Sequence, residues 1–256
     1  WTRRCVYGTA HYAGSERLVE QLLLLFPQAE LFALVDFMPA GERAMLGGRA
    51  VTTTFIQKLP FARRHFRNYL GLMPLAVEQL DLAGFDLVIS SNHACAKGVI
   101  TGPDQIHICY VHSPMRYAWD MQAAYLRQSG MQRGVRGWYA RWLLHRLRNW
   151  DVRSAAGVDV FVANSSYIAR RIRKVYRREA SVVYPPVDTN RFDAVNTPRR
   201  DYAVISRLVP YKRVDLVVEA FARLPDRVLH GAGDGPEREW IAAPPARAHT
   251  IVPRGR

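Results

Sequence analysis

Four short apolar runs, each closed by a polar loop and set apart by helix-sized stretches, limit this chain to a narrow group of folds. Phe85-Asp86-Leu87-Val88-Ile89 ends in Ser90-Ser91, and residues 106–111 end in His112-Ser113-Pro114. Residues 158–163 end in Asn164-Ser165-Ser166, and residues 182–184 end in Pro185-Pro186. A strand that is apolar throughout is buried on both faces, as happens in a parallel sheet covered by helices on either side. The expected class is α/β. Ligands of such sheets sit beyond the carboxyl ends of the strands. His112, Asn164 and, further on, Arg207 all fall there.

Two stretches between these runs read as amphipathic helices. Over residues 138–153, Trp138, Tyr139, Trp142, Leu143, Leu147 and Trp150 share one arc, with Arg141, His145 and Arg148 opposite. Over residues 168–178, Ile168, Ile172, Val175 and Tyr176 form the apolar face, and Arg170, Arg171, Arg173, Lys174, Arg177 and Arg178 the other. Both apolar faces are expected to turn to the core and both basic faces to water. Contact between the basic faces and an anionic membrane surface stays open.

A second strand–loop–helix unit begins after a polar, aperiodic stretch at residues 189–201, which reads as a linker. An apolar strand, Tyr202-Ala203-Val204-Ile205, feeds Ser206-Arg207-Leu208-Val209-Pro210-Tyr211-Lys212-Arg213. A helix carrying Val214, Val217, Val218 and Phe221 follows. Arg207 and Lys212 thus stand at a helix N-terminus, where backbone N–H groups and the helix dipole favour an anion. Arginine adds a planar fork for phosphate oxygens and lysine a mobile charge. On spacing alone, a diphosphate site and a solvated basic loop fit equally well. Further on, Val228-Leu229 reads as a short strand and Gly231-Ala232-Gly233-Asp234-Gly235 as a tight turn. Pro236-Glu237 reads as a helix start and Pro244-Pro245 as its stop.

The 256 residues carry a net charge of +14, and between Arg133 and Arg178 twelve Lys and Arg face only Asp151 and Asp159. Such a field attracts nucleotide phosphates, anionic lipid or nucleic acid. Nucleic acid is set aside, because no reading motif is present and aromatics do not interleave with the basic face. No apolar run reaches the roughly 20 residues of a membrane span. Cys5, Cys95 and Cys109 are scattered, with no metal-ligand or redox spacing. A reducing, cytoplasmic setting is the default for such thiols, with peripheral contact at the inner membrane as an addition the basic faces suggest.

Six segments taken in order resemble glycosyltransferase family 4, a GT-B group, especially bacterial polysaccharide-type members. They are the run ending Ser90-Ser91 with His93, then Tyr110-Val111-His112-Ser113-Pro114-Met115-Arg116-Tyr117-Ala118-Trp119-Asp120, then Val162-Ala163-Asn164-Ser165. Tyr184-Pro185-Pro186-Val187-Asp188, Ser206-Arg207 with Lys212-Arg213, and Gly233-Asp234-Gly235-Pro236-Glu237 complete the set. The resemblance implies a Rossmann-like acceptor domain at residues 1–188 and a partial donor domain at residues 202–256. It implies retaining transfer of a hexose, mannose by family flavour, from a nucleotide diphosphate sugar to a lipid-linked or polysaccharide acceptor. Arg207 and Lys212 would neutralise the leaving diphosphate without a metal, and His112 would meet the transferred sugar. Asp234 and Gly235 would border the nucleoside, with Gly14 and Asn164 on the acceptor side.

Two departures temper that expectation. Ala13-Gly14-Ser15-Glu16-Arg17 keeps one glycine of the family's Gly-Gly loop, and residues 1–12 make a poor apolar strand. The family's paired glutamates of the donor domain have no match, since no carboxylate follows Glu239. The second domain is therefore expected to be incomplete, the chain truncated and its own transfer activity impaired. A non-enzymatic anion-binding module on a membrane surface and an inactive remnant are the alternatives.

Overall fold

The computed structural model describes residues 3–7, 14–191, 201–224 and 226–235. The chain divides into two compact units, Trp1–Val187 and Asp188–Arg256. The helix start at Pro236-Glu237, the stop at Pro244-Pro245 and residues 192–200 of the expected linker lie outside the described residues.

The first unit holds a seven-stranded sheet. Its strands are β1 (Arg3–Tyr7), β2 (Glu30–Ala33), β3 (Val51–Thr53), β4 (Leu87–Asn92), β5 (Ile106–Val111), β6 (Val160–Ala163) and β7 (Ser181–Val182). Every pairing is parallel, in the order β3-β2-β1-β4-β5-β6-β7. The winding direction reverses between β1 and β4, so the carboxyl ends of these two strands flank the topological switch point. β1 is paired on both sides although its sequence reads as a poor strand. β2 and β3 have no counterpart among the apolar runs. β4 runs three residues past Ile89, through Ser90, Ser91 and Asn92, all buried. The polar tail stays in the sheet because it finds partners there.

Helices α1 (Gly14–Leu25), α2 (Ala62–His65), α3 (Met73–Glu78), α4 (Gln122–Gln128), α5 (Gly134–Ser154) and α6 (Ser166–Tyr176) connect the strands. The largest apolar cluster gathers Phe32, Val35, Ile56, Met73, Val77 and Trp150 among others, and a third cluster joins Phe161 to Ile168, Ile172 and Tyr176. Each such side chain contributes about 1.5–3 kcal/mol on full burial. On α6 the expected apolar face is buried at Ile168, Ile172 and Tyr176. The helix starts where it does because Ser165 caps it, its Oγ accepting from the Ile168 N–H at 3.3 Å.

Two expectations about the helix faces are corrected. On α5, Leu147 and Trp150 are buried, but Trp138, Tyr139 and Trp142 are exposed. The apolar arc spans about half the helix circumference at 100° per residue, and only its Leu143–Leu147–Trp150 edge meets the sheet. On α6, Arg171 is no solvated back-face charge. It lies one turn beyond Ile168, on the border of the apolar stripe, and makes a two-pronged pair with Asp120, with N···O distances of 2.7 and 2.5 Å. That pairing holds the Asp120 carboxyl below its ordinary range.

The core encloses a complete charge pair. Lys97 and Asp151 have fully buried side chains 2.8 Å apart. Lys97 Nζ also donates to the Asp151 carbonyl at 2.7 Å and to Ser154 Oγ at 2.5 Å, using all three of its protons. Asp151 accepts further from Trp119 Nε1 at 2.8 Å and from the Tyr176 hydroxyl at 3.1 Å. Burial, and then the Asp151 charge, pushes the Tyr176 hydroxyl well above its ordinary range. The Cys95 and Cys109 thiols lie in the same interior, and burial pushes each up to about 12.

The second unit pairs β8 (Tyr202–Ile205) with β9 (Leu229–Ala232), again in parallel, with α7 (Val214–Phe221) between them in sequence. Val214 and Val218 of α7 pack with Leu208 and Val204. The strand expected at Val228-Leu229 starts at Leu229 and runs on through Gly231.

Candidate functional site

In the first unit, the residues singled out from the sequence converge at the carboxyl edge of the sheet. His112 follows the last residue of β5 and is half-buried. Its N–H donates to the Asn92 carbonyl at 2.8 Å, continuing the ladder with β4 for one more step. Its Nε2 shares a 2.9 Å hydrogen bond with Ser91 Oγ. The Tyr110 ring stands edge-on at 5.1 Å and the His93 ring at 6.2 Å. Asn164, just past β6, donates from Nδ2 to the His112 carbonyl at 3.1 Å and accepts at Oδ1 from Ser165 Oγ. Asn164 is thereby tied to holding His112. Gly14 is the first residue of α1, the helix that follows β1. Ala13, which precedes it in the family's opening motif, lies outside the described residues.

Ser91 is a partner of His112 that the sequence marks only as a strand end. The signal was the register. Ser91 stands opposite Tyr110 and Asn92 opposite Val111, so the β4 tail lies beside whatever follows β5. Asn92 is 1% exposed, and its Oδ1 accepts from the Lys97 N–H at 3.2 Å. Its Nδ2 is buried with no hydrogen-bond partner among the described residues.

One strand-residue histidine is not part of this edge. His107, inside β5, is fully buried between Ser90 Oγ at 2.8 Å from Nε2 and the Gly157 carbonyl at 3.1 Å from Nδ1. Donation from Nδ1 to the carbonyl leaves Nε2 to accept from the serine. Burial lowers the His107 pKa to about 4, so the ring is neutral and structural.

In the second unit, the strand-end loop carrying Arg207 lies directly against the glycine turn. The Ser206 N–H donates to the Ala232 carbonyl at 3.0 Å, and the Leu208 N–H to the Asp234 carbonyl at 2.9 Å. This approach leaves no room for side chains at positions 233 and 235. A Cβ on Gly233 would stand 1.8 Å from the Ser206 carbonyl oxygen, and one on Gly235 2.2 Å from that of Leu208. Both glycines also hold φ near +155°. Arg207, Lys212 and Asp234 are exposed at this edge, and Asp234 Oδ1 accepts from the Gly235 N–H at 2.9 Å. The structure thus joins Arg207 to Asp234 and Gly235, which lie 27 and 28 positions on in the sequence.

The helix end beside them already holds a carboxylate. Arg213, with φ at +53°, turns the chain into α7. Its Nε lies 3.0 Å from both carboxyl oxygens of Asp215. The Arg213 guanidinium, helped by the Leu216 N–H, holds the Asp215 carboxyl below its ordinary range. The α7 dipole is therefore partly answered from within the helix's own first turn. Among the described residues, no group of three or more His, Cys, Asp and Glu is placed to hold a metal ion.

The family model described as Glycosyltransferase Family 4 matches residues 13–191. No curated protein matches the chain. Among solved structures, the Anabaena protein HepE in complex with UDP is similar at 13% identity and a TM-score of 0.57, covering 94% of this chain and 64% of that one. HepE in complex with UDP-glucose gives 13% identity and a TM-score of 0.55, covering 94% and 63%. With UDP and glucose it gives 12% and 0.54, covering 94% and 64%. The likeness is one of fold, the α/β GT-B arrangement with parallel sheets. This chain spans about 64% of the length of the HepE chain.

Proposed function

Because the chain belongs to glycosyltransferase family 4, we propose that it takes part in moving a hexose from a nucleotide diphosphate sugar to a lipid-linked or polysaccharide acceptor. The observation that carries this reading is the second unit's strand edge. There Arg207 is displayed on a loop locked to the Gly233-Asp234-Gly235 turn, with Lys212 in the same loop. As the bond between the anomeric carbon and the diphosphate oxygen breaks, negative charge grows on the departing diphosphate. A guanidinium and an ammonium at that point stabilise it, which is the largest single effect in many enzymes. They do so without a metal ion in this proposal. Asp234 and Gly235 border the nucleoside.

His112 is the proposed partner of the sugar, through a hydrogen bond to a hydroxyl or to the developing charge. Its ring is oriented by Ser91 and its backbone by Asn164. Gly14 lets acceptor or sugar approach the start of α1. Retention at the anomeric carbon is part of the proposal, as is mannose from a guanosine donor. Uridine-linked glucose, the kind of donor seen with HepE, is the first competitor. The setting proposed is the cytoplasm, at the face of a membrane. Cys95 and Cys109 are buried and form no disulfide, as a reducing compartment favours; no described helix is long and apolar enough to cross a membrane.

A thermal-shift titration with guanosine and uridine diphosphate sugars tests the reading. One donor class should raise the melting temperature in proportion to the logarithm of its concentration. A folded sample that responds to none of them rejects it.

A further inference from the structure

We propose that the exposed stripe of α5, together with the neighbouring segment at residues 61–72, is the surface by which the protein docks on an anionic lipid bilayer. This deepens the membrane part of the function proposed above and rests on it only for the lipid-linked acceptor.

The stripe is unlike an ordinary helix back. Val135 is 87% exposed, Trp138 73%, Tyr139 59% and Trp142 47%. At three- and four-residue spacing they lie on one face, opposite the buried Leu144 and Leu147. Tyr139 and Trp142 stack with ring centroids 5.9 Å apart, and the Arg146 guanidinium lies 5.6 Å from the Trp142 ring. The aromatics are thus grouped and edged by cation. Contiguous apolar surface of this kind marks an interaction site.

The charge around the stripe selects the occupant. Residues 121–150 contain six arginines and no Asp or Glu. Arg127, Arg133 and Arg141 line an open groove of about 390 Å³ beside it. Leu143 packs against the same apolar cluster as Phe66, Tyr69 and Leu70 and lies 3.2 Å from where a Cβ on Gly71 would stand, so residues 66–71 run alongside α5, and the Tyr69 hydroxyl donates to the Pro60 carbonyl at 2.6 Å, which ties Phe61 to the same segment. Phe61 is 80% exposed and Leu72 41%, and Arg63, Arg64 and Arg67 are exposed between them. Residues 59–77 also contain no Asp or Glu. A protein partner would need a purely acidic face around an aromatic-accepting centre. An anionic bilayer offers both at once: phosphates for arginine, and the headgroup boundary in which Trp and Tyr rings settle. The basic face of α6 is the poorer candidate, since Arg171 is 12% exposed and already engaged with Asp120.

Flotation with phosphatidylglycerol-containing vesicles, against phosphatidylcholine vesicles, tests the assignment. The wild type should float with the anionic vesicles only, with a blue shift of its Trp emission. Trp138→Ser with Trp142→Ser should together lower the partition coefficient by at least about tenfold, a loss of about 1.4 kcal/mol. Arg63→Glu with Arg64→Glu should do the same in a salt-dependent way. Arg170→Glu with Lys174→Glu on α6 should change little. Circular dichroism and the melting temperature should be unchanged in all of them, because the side chains are exposed. Wild type that stays out of the anionic vesicles, aromatic variants that float like wild type, or a concentration-dependent dimer abolished by the aromatic substitutions would each overturn the proposal. Nucleotide-sugar binding, followed in the same variants, separates this outcome from failure of the transferase reading.

Discussion

His112 and Arg207 both stand just past the carboxyl end of a parallel strand, yet they are held in opposite ways. His112 is fixed by side chains reaching from the strands on either side, Ser91 from β4 and Asn164 from beyond β6. Arg207 is fixed chiefly by main chain, through the flanking Ser206 and Leu208 N–H groups bonded to the Ala232 and Asp234 carbonyls, and its own side chain is exposed. In the first case the sequence must supply particular groups, and in the second it must withhold them, which is why glycine recurs at 233 and 235. The first region should resist disturbance until a buried group is removed. The second should fail locally, at the loop, with the seven-stranded sheet left intact.

The hardest test of the first region is its buried charge pair. Lys97→Met leaves Asp151 charged and unpaired in the core, and should cost about 3–5 kcal/mol in a urea titration. A loss below 1 kcal/mol would mean that water reaches the pair.

The next effect is one of pH. His107 is neutral in the fold because its pKa falls from 6.5 to about 4. Its contribution is complete above pH 6.5 and is lost as pH falls towards 4, for a total of about 3 kcal/mol. Stability that stays flat between pH 6.5 and pH 4.5 would contradict this.

In the second region, Gly233→Ala sets a methyl against the Ser206 carbonyl. It should cost about 1–3 kcal/mol of local stability. Amide exchange at Ser206 and Leu208 should speed up, with that of β4 and β5 unchanged. Equal protection in wild type and variant would break the comparison.

The smallest effect is that of Ser91→Ala. It should cost about 0.5–1.5 kcal/mol, lowering turnover with the donor KM unchanged, if orientation of His112 is what Ser91 supplies.

The same contrast explains what could be read from sequence. β5 and β8 were legible to the residue, because runs such as Ile106–Val111 and Tyr202–Ile205 are apolar and end in loops. β1 was obscured by Arg3 and Arg4, and its place between β2 and β4 comes from pairings that the sequence does not display. β2 and β3 are three or four residues long, too short for periodicity. The turn at residues 233–235 was visible as glycine, but its contact with Ser206 and Leu208 is a property of the parallel pairing. The Lys97–Asp151 pair joins residues 54 apart and carries no local signature. The α5 aromatics were misjudged for a different reason: an arc of Trp and Tyr looks the same whether it is buried or exposed, and only its angle to Leu144 and Leu147 decides.

The central claim is that Arg207 and Lys212 receive a diphosphate. Calorimetric titration of guanosine and uridine mono- and diphosphates into wild type, Arg207→Gln and Lys212→Gln tests it most directly. The account predicts that the diphosphate of one base binds wild type more tightly than its monophosphate, and that each substitution weakens the diphosphate by about tenfold or more while the monophosphate changes less. Diphosphate affinity unchanged in both variants would contradict it.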